Sequence, residues 1–345
     1  MRATEMVLPG VGEPETLRMR VRELPPPGPG EAVVRLEASG VSFAEQQMRR
    51  GKYYDQPAFP FVPGYDLVGV VEALGLGVSP DDVRVGQRVA ALTKTGAWAD
   101  RVLLPAADLV EVPEGVGPAE AETVVVNGVT AWRMLHRIAR VTSGQTIVVL
   151  GANGGVGSTL VQLTRHAGIK VIGTASPRHH DRLRDLGAVP FDYRDDDLLA
   201  RVRTIAPEGV AAVFDHVGGP GIVDSWRMLH RGGTLVSYGS ASTKDLPGNP
   251  RLPVLKLLVR LMAWNLLPNG RRATFFDLWK GKARNPDRYR AALRRDLAEV
   301  FGLVAKGELT AQIARSFPLP QASDALRYAE SGEVSGKVIL VPTLP

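Results

Sequence analysis

The alternation of short apolar runs with helix-like stretches between about residues 126 and 240 constrains the fold of this chain more than any other feature. In order, the apolar runs are TIVVL, KVIGTA, VPFDY, VAAVFDHV and TLVSYG. Strands that are apolar almost throughout need cover on both faces, and helices between them supply it. The pattern therefore predicts an α/β fold with a doubly wound parallel sheet.

The flanking parts of the chain have a different pattern. The first 125 or so residues contain short strand-like runs between Gly and Pro turn signals, which predicts an antiparallel β domain. After about residue 306 short mixed elements return and end in KVILVP, a strand that can rejoin the first domain. A chain of 345 residues is long enough for two domains. We predict one domain from residues 1–125 and 306–345, and a second from residues 126–305.

The strand TIVVL runs directly into GANGGVG and then into a helical stretch, STLVQLTRHAG. In the dinucleotide-binding fingerprint, Ala152 stands at the first glycine position, with Gly154 and Gly157 at the second and third. Gly154 lets the backbone approach a pyrophosphate, Gly157 allows close helix–strand packing, and the helix N-terminus attracts phosphate. An ordinary tight turn is the alternative, but the flanking strand, helix and further βα units favour a Rossmann nucleotide site.

The end of the second strand decides which dinucleotide is predicted. An NAD site needs a carboxylate there for the ribose 2′-hydroxyl. Here KVIGTA is followed by SPRHH, and the next acid is Asp181, in the predicted helix. Ser176 and Arg178 can instead bind a 2′-phosphate through a hydroxyl and a guanidinium, although Arg178 could also be a solvated loop charge. We therefore predict NADP(H) as the cofactor.

Composition excludes several classes of function. The chain has no cysteine, which removes disulfides, thiolate zinc sites, iron–sulfur clusters and cysteine nucleophiles. Its net charge of +6 is not concentrated in a basic cluster with stacking aromatic residues, so no nucleic-acid partner is expected. Glu5 interrupts the apolar start that a signal peptide needs, and no run is suited to span a bilayer. The sequence predicts a soluble, cytoplasmic protein.

Residues 61–71, FVPGYDLVGVV, place two polar side chains at the start of a buried strand. A Pro-Gly turn comes first, and the β-branched run that follows predicts the strand. Tyr65 and Asp66 lie between the two. Side chains at such a strand end often face a cleft, so both are of interest for the active site.

These segments together resemble the medium-chain dehydrogenase/reductase superfamily over nearly the whole chain and in the right order. The segments similar to its GroES-like catalytic domain are ASGVSFAEQQMRRGKY, FPFVPGYDLVGVV and VGQRVAAL. Those similar to its nucleotide domain are VLGANGGVGSTLVQL, DYRDDD, FDHVGG and GGTLVSYG, and SFPLPQASDALRYAESGEVSGKVILVP resembles its C-terminal return. The resemblance implies a Rossmann doubly wound parallel sheet plus a GroES-like, mostly antiparallel β catalytic domain.

Zinc-dependent members of this superfamily carry a metal-binding Cys after a glycine-led turn and a His-Glu pair after Pro-Gly. This sequence has Ser42, Tyr65 and Asp66 there, and serine and neutral tyrosine do not replace thiolate and imidazole at zinc. We expect no bound metal. Without a Lewis acid, hydride transfer to a quinone or to the β-carbon of a conjugated carbonyl is easier than reduction of a simple ketone. The sequence most resembles the zinc-independent quinone oxidoreductases (zeta-crystallin-like) and their enoyl-reductase relatives.

The resemblance suggests four residues for the catalytic site. Ser42 stands where this branch usually has Asn, and Gln47 stands where the quinone reductases can carry Tyr and is an amide donor. Tyr53 matches the tyrosine proposed as proton donor in polyketide enoyl reductases, with a packing tyrosine as the alternative. Tyr65 can line the cleft, although shaping the pocket with Asp66 beneath it is its favoured role.

The resemblance also implies further cofactor contacts. Thr130 is expected near the nicotinamide, Tyr193 beside the adenosine 2′-phosphate, and Lys337 at the cofactor from the C-terminal strand. Val217 and Tyr238 lie on loops that are expected to pass the cofactor through backbone contacts. From the glycine loop itself we predict contacts by Gly151, Asn153, Gly154, Gly155, Val156 and Gly157.

Residues 241–285 form a longer segment than the family normally has and include RLPVLKLLVRLMAWNLLPNGRR. On a helix, Lys256 and Arg260 share one face and the leucines the other, with Arg271 and Arg272 beyond. A lid or packing helix is the favoured interpretation, and contact with a membrane surface is the alternative.

The sequence thus predicts a metal-free, NADPH-dependent oxidoreductase that acts on a small-molecule quinone or α,β-unsaturated carbonyl compound. A non-catalytic NADPH-binding or membrane-surface-associated protein of the same fold is one alternative, and a pathway-specific ene-reductase or cyclase is another. The resemblance also implies homodimers formed through the sheet edges of the nucleotide domains.

Overall fold

The computed structural model describes residues 1–243 and 251–342. The first part of the predicted insertion, at 244–250, and residues 343–345 lie outside the described residues. The chain divides into two compact units, Met1–Val129 with Gly281–Pro345, and Thr130–Lys280. The predicted boundaries at 125/126 and 305/306 differ from this division, chiefly by one long helix before residue 306.

The strands and helices of the described residues are numbered in chain order. The strands are β1 (Arg2–Val7), β2 (Arg18–Glu23), β3 (Glu31–Val41), β4 (Asp66–Leu74), β5 (Arg88–Leu92), β6 (Arg101–Pro105), β7 (Val110–Glu111), β8 (Thr146–Leu150), β9 (Lys170–Ala175), β10 (Ala188–Asp192), β11 (Val210–Asp215), β12 (Leu229–Ser237), β13 (Arg272–Phe275), β14 (Ile313–Pro318) and β15 (Lys337–Val341). The helices are α1 (Phe43–Arg49), α2 (Pro118–Trp132), α3 (Gly155–His166), α4 (His180–Leu186), α5 (Leu198–Ile205), α6 (Ile222–Met228), α7 (Arg251–Asn265), α8 (Pro286–Ala305) and α9 (Ala322–Glu330). A π-helical segment, Arg133–Ala139, continues α2.

The first unit contains a sheet in the order β14, β15, β3, β4, β5 and β7, with β6 also paired to β3. Its pairs are antiparallel except β14 with β15, so the mostly antiparallel β domain is confirmed. β1 and β2 form a separate two-stranded sheet. The C-terminal strand β15 pairs with β3, with Leu340 opposite Ser39, so KVILVP does rejoin the first domain.

The second unit is built on a parallel sheet in the order β10, β9, β8, β11, β12 and β13. Every neighbouring pair is parallel, which confirms the doubly wound sheet. In the middle strand β8, Val148 pairs with Ile172 of β9 on one side and with Val213 of β11 on the other. All three side chains are buried, as expected for strands covered on both faces.

Helix α8 belongs to the first unit, whereas the sequence analysis placed it in the nucleotide-binding domain. Arg290 of α8 donates to the Asp108 carboxylate at 2.7 Å, and Arg294 donates to the Ala107 carbonyl at 2.6 Å. The amphipathic pattern of α8 predicts that one face is buried. It does not say which part of the chain covers that face, and the predicted boundary therefore came too late.

Helix α7 packs one face into the core of the second unit through Leu257, Leu261 and Trp264. The Trp264 ring stacks on Trp226 with the centroids 5.0 Å apart and the planes 8° apart. The prediction that the leucines share a single face is wrong, because Leu255, away from this packed face, is 57% exposed. Within the residues that the structure describes, no helix is long and apolar enough to cross a membrane.

Candidate active site

Five strands of the second unit end beside residues that the sequence assigns to the cofactor. Gly151 follows β8, Ser176 follows β9, Tyr193 follows β10, Val217 comes two residues after β11, and Tyr238 follows β12. The carboxyl ends of parallel strands lie at the same edge of a sheet. The strand order also reverses between β8 and β11, and ligands of open α/β sheets bind outside the strands at such a switch point.

The glycine loop links β8 to α3 at this switch point. Gly151 has φ = 67°, a left-handed conformation that favours glycine. Gly154 donates its N–H to the Gly151 carbonyl at 3.1 Å and is the N-cap residue of α3. No side chain caps this helix end. The first turn of α3, including Gly155 and Val156, therefore keeps backbone N–H groups and a positive dipole end for an anion.

The remaining two glycines of the fingerprint have different surroundings. A Cβ on Gly157 would lie 2.4 Å from the Gly151 carbonyl oxygen and 2.8 Å from Ala152 Cα. Gly157 is therefore required for helix α3 to pack closely on the loop. A Cβ on Gly154 would meet nothing nearer than the Gly151 oxygen at 3.5 Å. The protein itself has room for a side chain at 154, so the glycine there suits the approach of a ligand.

The loop after β11 is braced by Asp215 and contains a histidine that sequence reasoning missed. Asp215 accepts hydrogen bonds from the N–H groups of Val217 and Gly218, both at 2.8 Å. His216 Nδ1 lies 3.0 Å from the Leu150 carbonyl, and burial lowers the pKa of His216. The imidazole is therefore neutral and donates from Nδ1. The signal for His216 was its place directly after a parallel strand, which by itself does not separate a ligand contact from a structural one.

The turn after β9 supplies a basic group of the kind that a 2′-phosphate needs. Arg178 is exposed, and no carboxylate ends β9. The neighbouring His179 is buried, and its pKa is lowered first by burial and then by the charges of Arg178 and Arg182. At the end of β10, the exposed Tyr193 accepts a hydrogen bond from Arg194 Nε at 3.1 Å.

Two other residues that are predicted to contact the cofactor, Thr130 and Lys337, lie away from the strand ends. A third, Asn153, lies in the turn of the glycine loop. Thr130 is buried in α2, where the second unit begins. Asn153 lies in the turn between β8 and α3. Lys337 belongs to the first unit, where its ammonium contacts the side chains of two acidic residues, Asp66 and Glu122.

In the first unit, the stretch with the Pro-Gly turn brings two tyrosines together. The hydroxyl of Tyr65 is 3.0 Å from the hydroxyl of Tyr53, and both rings are buried. Burial raises the pKa of Tyr53 above its usual range, and the neighbouring Tyr65 and Tyr54 add to the shift. Tyr53 is therefore a neutral phenol at neutral pH, and its hydroxyl is a hydrogen-bond donor.

Ser42 precedes the short helix α1, and Gln47 lies within it. Ser42 is the N-cap residue, and its hydroxyl accepts from the Ala44 N–H at 3.3 Å and is bonded to the Glu45 carboxyl. Glu45 in turn accepts from the Ser42 N–H at 2.9 Å, which completes a capping box. Gln47 is 5% exposed, and its Nε2 has no hydrogen-bond partner among the described residues. Ser42 thus caps helix α1, whereas the Nε2 amide group of Gln47 can still donate a hydrogen bond.

Asp66 lies in a buried cluster that the sequence did not predict. Lys337 Nζ is 2.7 Å from Asp66 Oδ2 and 3.0 Å from Glu122 Oε1, and all three side chains are buried. Asp66 Oδ2 also accepts from the Val126 N–H at 3.0 Å. Burial raises the pKa of Glu122 well above its usual range, and the Asp66 charge raises it further. The environment of Glu122 therefore disfavours its charged form.

Two models of known protein families match parts of this chain. Residues 28–114 match a family model described as the alcohol dehydrogenase GroES-like domain, and residues 186–340 match one described as zinc-binding dehydrogenase. The human synaptic vesicle membrane protein VAT-1 homolog is 32% identical over 98% of this chain and 86% of its own length. The chain belongs to the medium-chain dehydrogenase/reductase superfamily. Its place is in the branch of the zinc-independent quinone oxidoreductases and enoyl reductases.

Solved structures of this superfamily share the fold over the full chain. A mycobacterial protein complexed with NADPH is 31% identical, with 99% of this chain and 100% of that chain covered and a TM-score of 0.85. The Escherichia coli quinone oxidoreductase complexed with NADPH is 25% identical, with 98% of this chain and 100% of that chain covered and a TM-score of 0.85. The fold of this superfamily combines a Rossmann nucleotide domain with a GroES-like domain, as predicted for this chain.

Some members of the superfamily bind zinc, and this chain has other residues at the positions of the metal ligands. Ser42, Tyr65 and Asp66 stand there, and none of them offers a thiolate or an imidazole nitrogen. Each is also engaged in the hydrogen bonds given above. This donor set does not fit a zinc ion. Among the residues that the structure describes, no group of three or more His, Cys, Asp and Glu could hold a metal.

Proposed function

We propose that this protein is a metal-free, NADPH-dependent oxidoreductase that transfers hydride to a quinone or to the β-carbon of an α,β-unsaturated carbonyl compound. The observation that carries the proposal is the donor set of the first unit. Where zinc-dependent relatives need thiolate and imidazole, this chain has a helix cap, a paired phenol and an ion-paired carboxylate. Conjugate reduction does not require a Lewis acid, because the negative charge spreads over the acceptor and needs only hydrogen-bond donors and a proton.

NADP(H) is the cofactor of the proposed reaction and supplies the hydride when bound. The glycine loop and the N-terminus of α3 offer their N–H groups to its pyrophosphate. Ser176 and Arg178 are proposed to bind the 2′-phosphate, with Tyr193 beside it. The NADPH complexes of two relatives with the same fold support this assignment.

Tyr53 is the residue we propose as proton donor. Its phenol is protonated at neutral pH, and its bond to the Tyr65 hydroxyl fixes its position and supplies a second hydroxyl for proton exchange. Gln47 is proposed as an amide donor to the acceptor's oxygen, since its Nε2 has no partner among the described residues. Tyr65 and Ser42 are proposed to shape this part of the site.

A non-catalytic NADPH-binding protein of the same fold is the second candidate. It is favoured by one observation, the use of the Ser42 hydroxyl as a helix cap where the branch usually has Asn. A pathway-specific ene-reductase or cyclase would use the chemistry of the first candidate on a larger acceptor. The homodimer through the edge of the second unit's sheet is also part of the proposal, and the cytoplasmic location stays a prediction from the sequence.

The test is anaerobic oxidation of NADPH by the purified protein with a benzoquinone, a small enone and an enoyl thioester, with NADH in parallel. We expect turnover with at least one acceptor and a preference for NADPH, and the best acceptor identifies the reaction class. The matched variant Tyr53→Phe removes only the hydroxyl and should slow turnover without weakening NADPH binding. Tight NADPH binding with no turnover on any acceptor would favour the second candidate.

A further inference from the structure

The ring of His216 lies against the glycine loop at the switch point of the parallel sheet. Gly151 follows β8 and His216 follows β11, and these two strands are neighbours in the sheet. A Cβ on Gly151 would lie 2.2 Å from His216 Cε1 and 3.0 Å from His216 Nε2. The imidazole therefore fills the space beside the first residue of the loop that is proposed to bind the pyrophosphate.

The two ring nitrogens of His216 have different surroundings. Nδ1 donates to the Leu150 carbonyl, 3.0 Å away, so in the neutral ring Nε2 is an acceptor. Nε2 has no hydrogen-bond partner among the described residues, and it is not one of the polar atoms that their interior encloses. An uncommitted acceptor is therefore available at the edge of the glycine loop.

The residues around His216 hold it in place. Its carbonyl accepts from the Ala241 N–H at 3.0 Å, and the Tyr238 ring centroid is 5.9 Å from that of the imidazole. A Cβ on Gly239 would lie 2.7 Å from the His216 carbonyl oxygen and 3.2 Å from His216 Cβ. The position of Nε2 is thus set by the protein, and a ligand that uses it does not have to order the side chain.

The nearby groups leave a need for an acceptor. The N–H groups in the first turn of α3 suit phosphate but cannot accept a hydrogen bond. The carboxylate next to His216 in sequence, Asp215, already accepts from the N–H groups of Val217 and Gly218 and from the Ser225 hydroxyl. Ribose hydroxyls are donors, and in NAD sites a carboxylate accepts from one of them. Nε2 of His216 has the right character for such a contact.

The strand order indicates which ribose lies on the side of His216. β9, followed by Ser176 and Arg178, is on one side of β8, and β11, followed by His216, is on the other. In the proposed site the adenosine 2′-phosphate is bound after β9 and the pyrophosphate at α3. Because a dinucleotide lies across the switch point, its nicotinamide half extends toward the end of β11.

We propose that His216 is a cofactor-binding residue whose Nε2 accepts a hydrogen bond from a hydroxyl of the nicotinamide ribose. The inference rests on the NADPH site proposed above and adds a contact on the nicotinamide side. Loss of this contact should be felt by the whole dinucleotide and not by its adenosine half.

The test compares the dissociation constants of NADPH and of adenosine 2′,5′-bisphosphate, a fragment without the nicotinamide ribose, by calorimetric titration. His216→Asn keeps an amide donor near the position of Nδ1 and has no acceptor where Nε2 was. We expect it to bind NADPH roughly five- to tenfold more weakly, and the fragment as tightly as the wild type does. The control is Ser225→Ala, which removes a hydrogen bond of 2.8 Å from the same loop and should leave the ratio of the two dissociation constants unchanged.

A second measurement needs no variant. With isotope-labelled histidine in the wild type, one Nε2 resonance should shift in the nuclear magnetic resonance spectrum when NADPH is added and stay in place when the fragment is added. Absence of such a resonance would overturn the proposal. So would a His216→Asn variant that binds NADPH as tightly as the wild type, or one that loses affinity for both ligands equally, and in each case the proposed cofactor would stand. A wild type that binds neither ligand would overturn the NADP(H) assignment together with this inference.

Discussion

The buried cluster of Asp66, Glu122 and Lys337 leads to a sharp prediction about the free energy of unfolding. At 2.7 Å, and with an effective dielectric constant of about 20, the attraction between Lys337 Nζ and Asp66 Oδ2 is about 6 kcal/mol. Much of this offsets the loss of hydration of both charges. Lys337→Met leaves the buried carboxyl group of Asp66 without its cation, so we expect a loss of about 3–5 kcal/mol.

The matched variant is Glu122→Gln, which tests the protonation state assigned to Glu122. Because burial and the Asp66 charge raise the pKa of Glu122 well above the usual range, its neutral form is favoured in the folded protein. At about pH 4.5, where the raised pKa has not yet cost the wild type stability, an amide of nearly the same shape replaces the acid, and we expect a loss below about 1 kcal/mol. A cost for Glu122→Gln as large as that for Lys337→Met would refute this assignment.

The assay is urea unfolding, with hydrogen exchange at the Val126 amide as a local readout. This N–H donates to Asp66 Oδ2, so its protection reports on the cluster itself even where the two units unfold in separate steps. Lys337→Met should lower the protection factor at Val126 strongly, and Glu122→Gln should leave it almost unchanged. Lys306→Met, at an exposed position, is the control for loss of a lysine.

The same cluster predicts the sign of a pH dependence. The folded-state pKa of Glu122 lies above the ordinary value of 4.5, so its contribution to stability is full below about pH 4.5. The contribution is lost as the pH rises toward the folded-state pKa. The stability of the wild type relative to Glu122→Gln should therefore fall with increasing pH in this window. A difference that stays flat or rises with pH would contradict the raised pKa.

Three further predictions concern the proposed reaction. Gly154→Ala should leave the melting temperature nearly unchanged but weaken NADPH binding. Gly157→Ala should lower the melting temperature, because its Cβ would lie 2.4 Å from a carbonyl oxygen. If the two variants had equal effects on both measurements, the separate roles of the two glycines would be contradicted. Arg178→Ala should reduce the preference for NADPH over NADH about tenfold or more in a binding titration, because a charged hydrogen bond is lost. The control is Arg184→Ala, at another exposed arginine of the same region, and it should keep the preference. Tyr53→Phe should lower kcat about tenfold while solvent supplies the proton more slowly; an unchanged kcat would show that Tyr53 only packs.

Much of the nucleotide half could be predicted from the sequence because its determinants are local. The strand TIVVL, the loop GANGGVG and the helix after it lie within a single stretch of chain. Short apolar strands also fix a parallel sheet, since they need cover on both faces. Once the strands were assigned, the residues at their ends could be read from the sequence. In the structure these residues lie at the carboxyl edge of the same sheet.

The buried cluster and the exposed face of α7 could not be predicted in this way. Asp66 and Lys337 are 271 residues apart in sequence, so no local pattern joins them. Glu122 had a weak signal, an acid before the apolar run TVVVNGV, but the sequence does not name the cation that would pair with it. For α7 the apolar residues were apparent, yet hydrophobicity alone does not tell a packed face from an exposed one.

The separation of 271 residues between Asp66 and Lys337 has a consequence for synthesis on the ribosome. The second unit is one continuous stretch, so it can fold as soon as residue 280 has emerged. The first unit cannot be completed until β15 arrives and brings the cation. At about 5–20 residues per second, the carboxylate of Asp66 waits roughly 14–54 s for its partner. During that interval the N-terminal strands lack a neighbouring strand and a counter-charge, so the nascent chain is exposed to aggregation and to chaperones in its first half rather than its second.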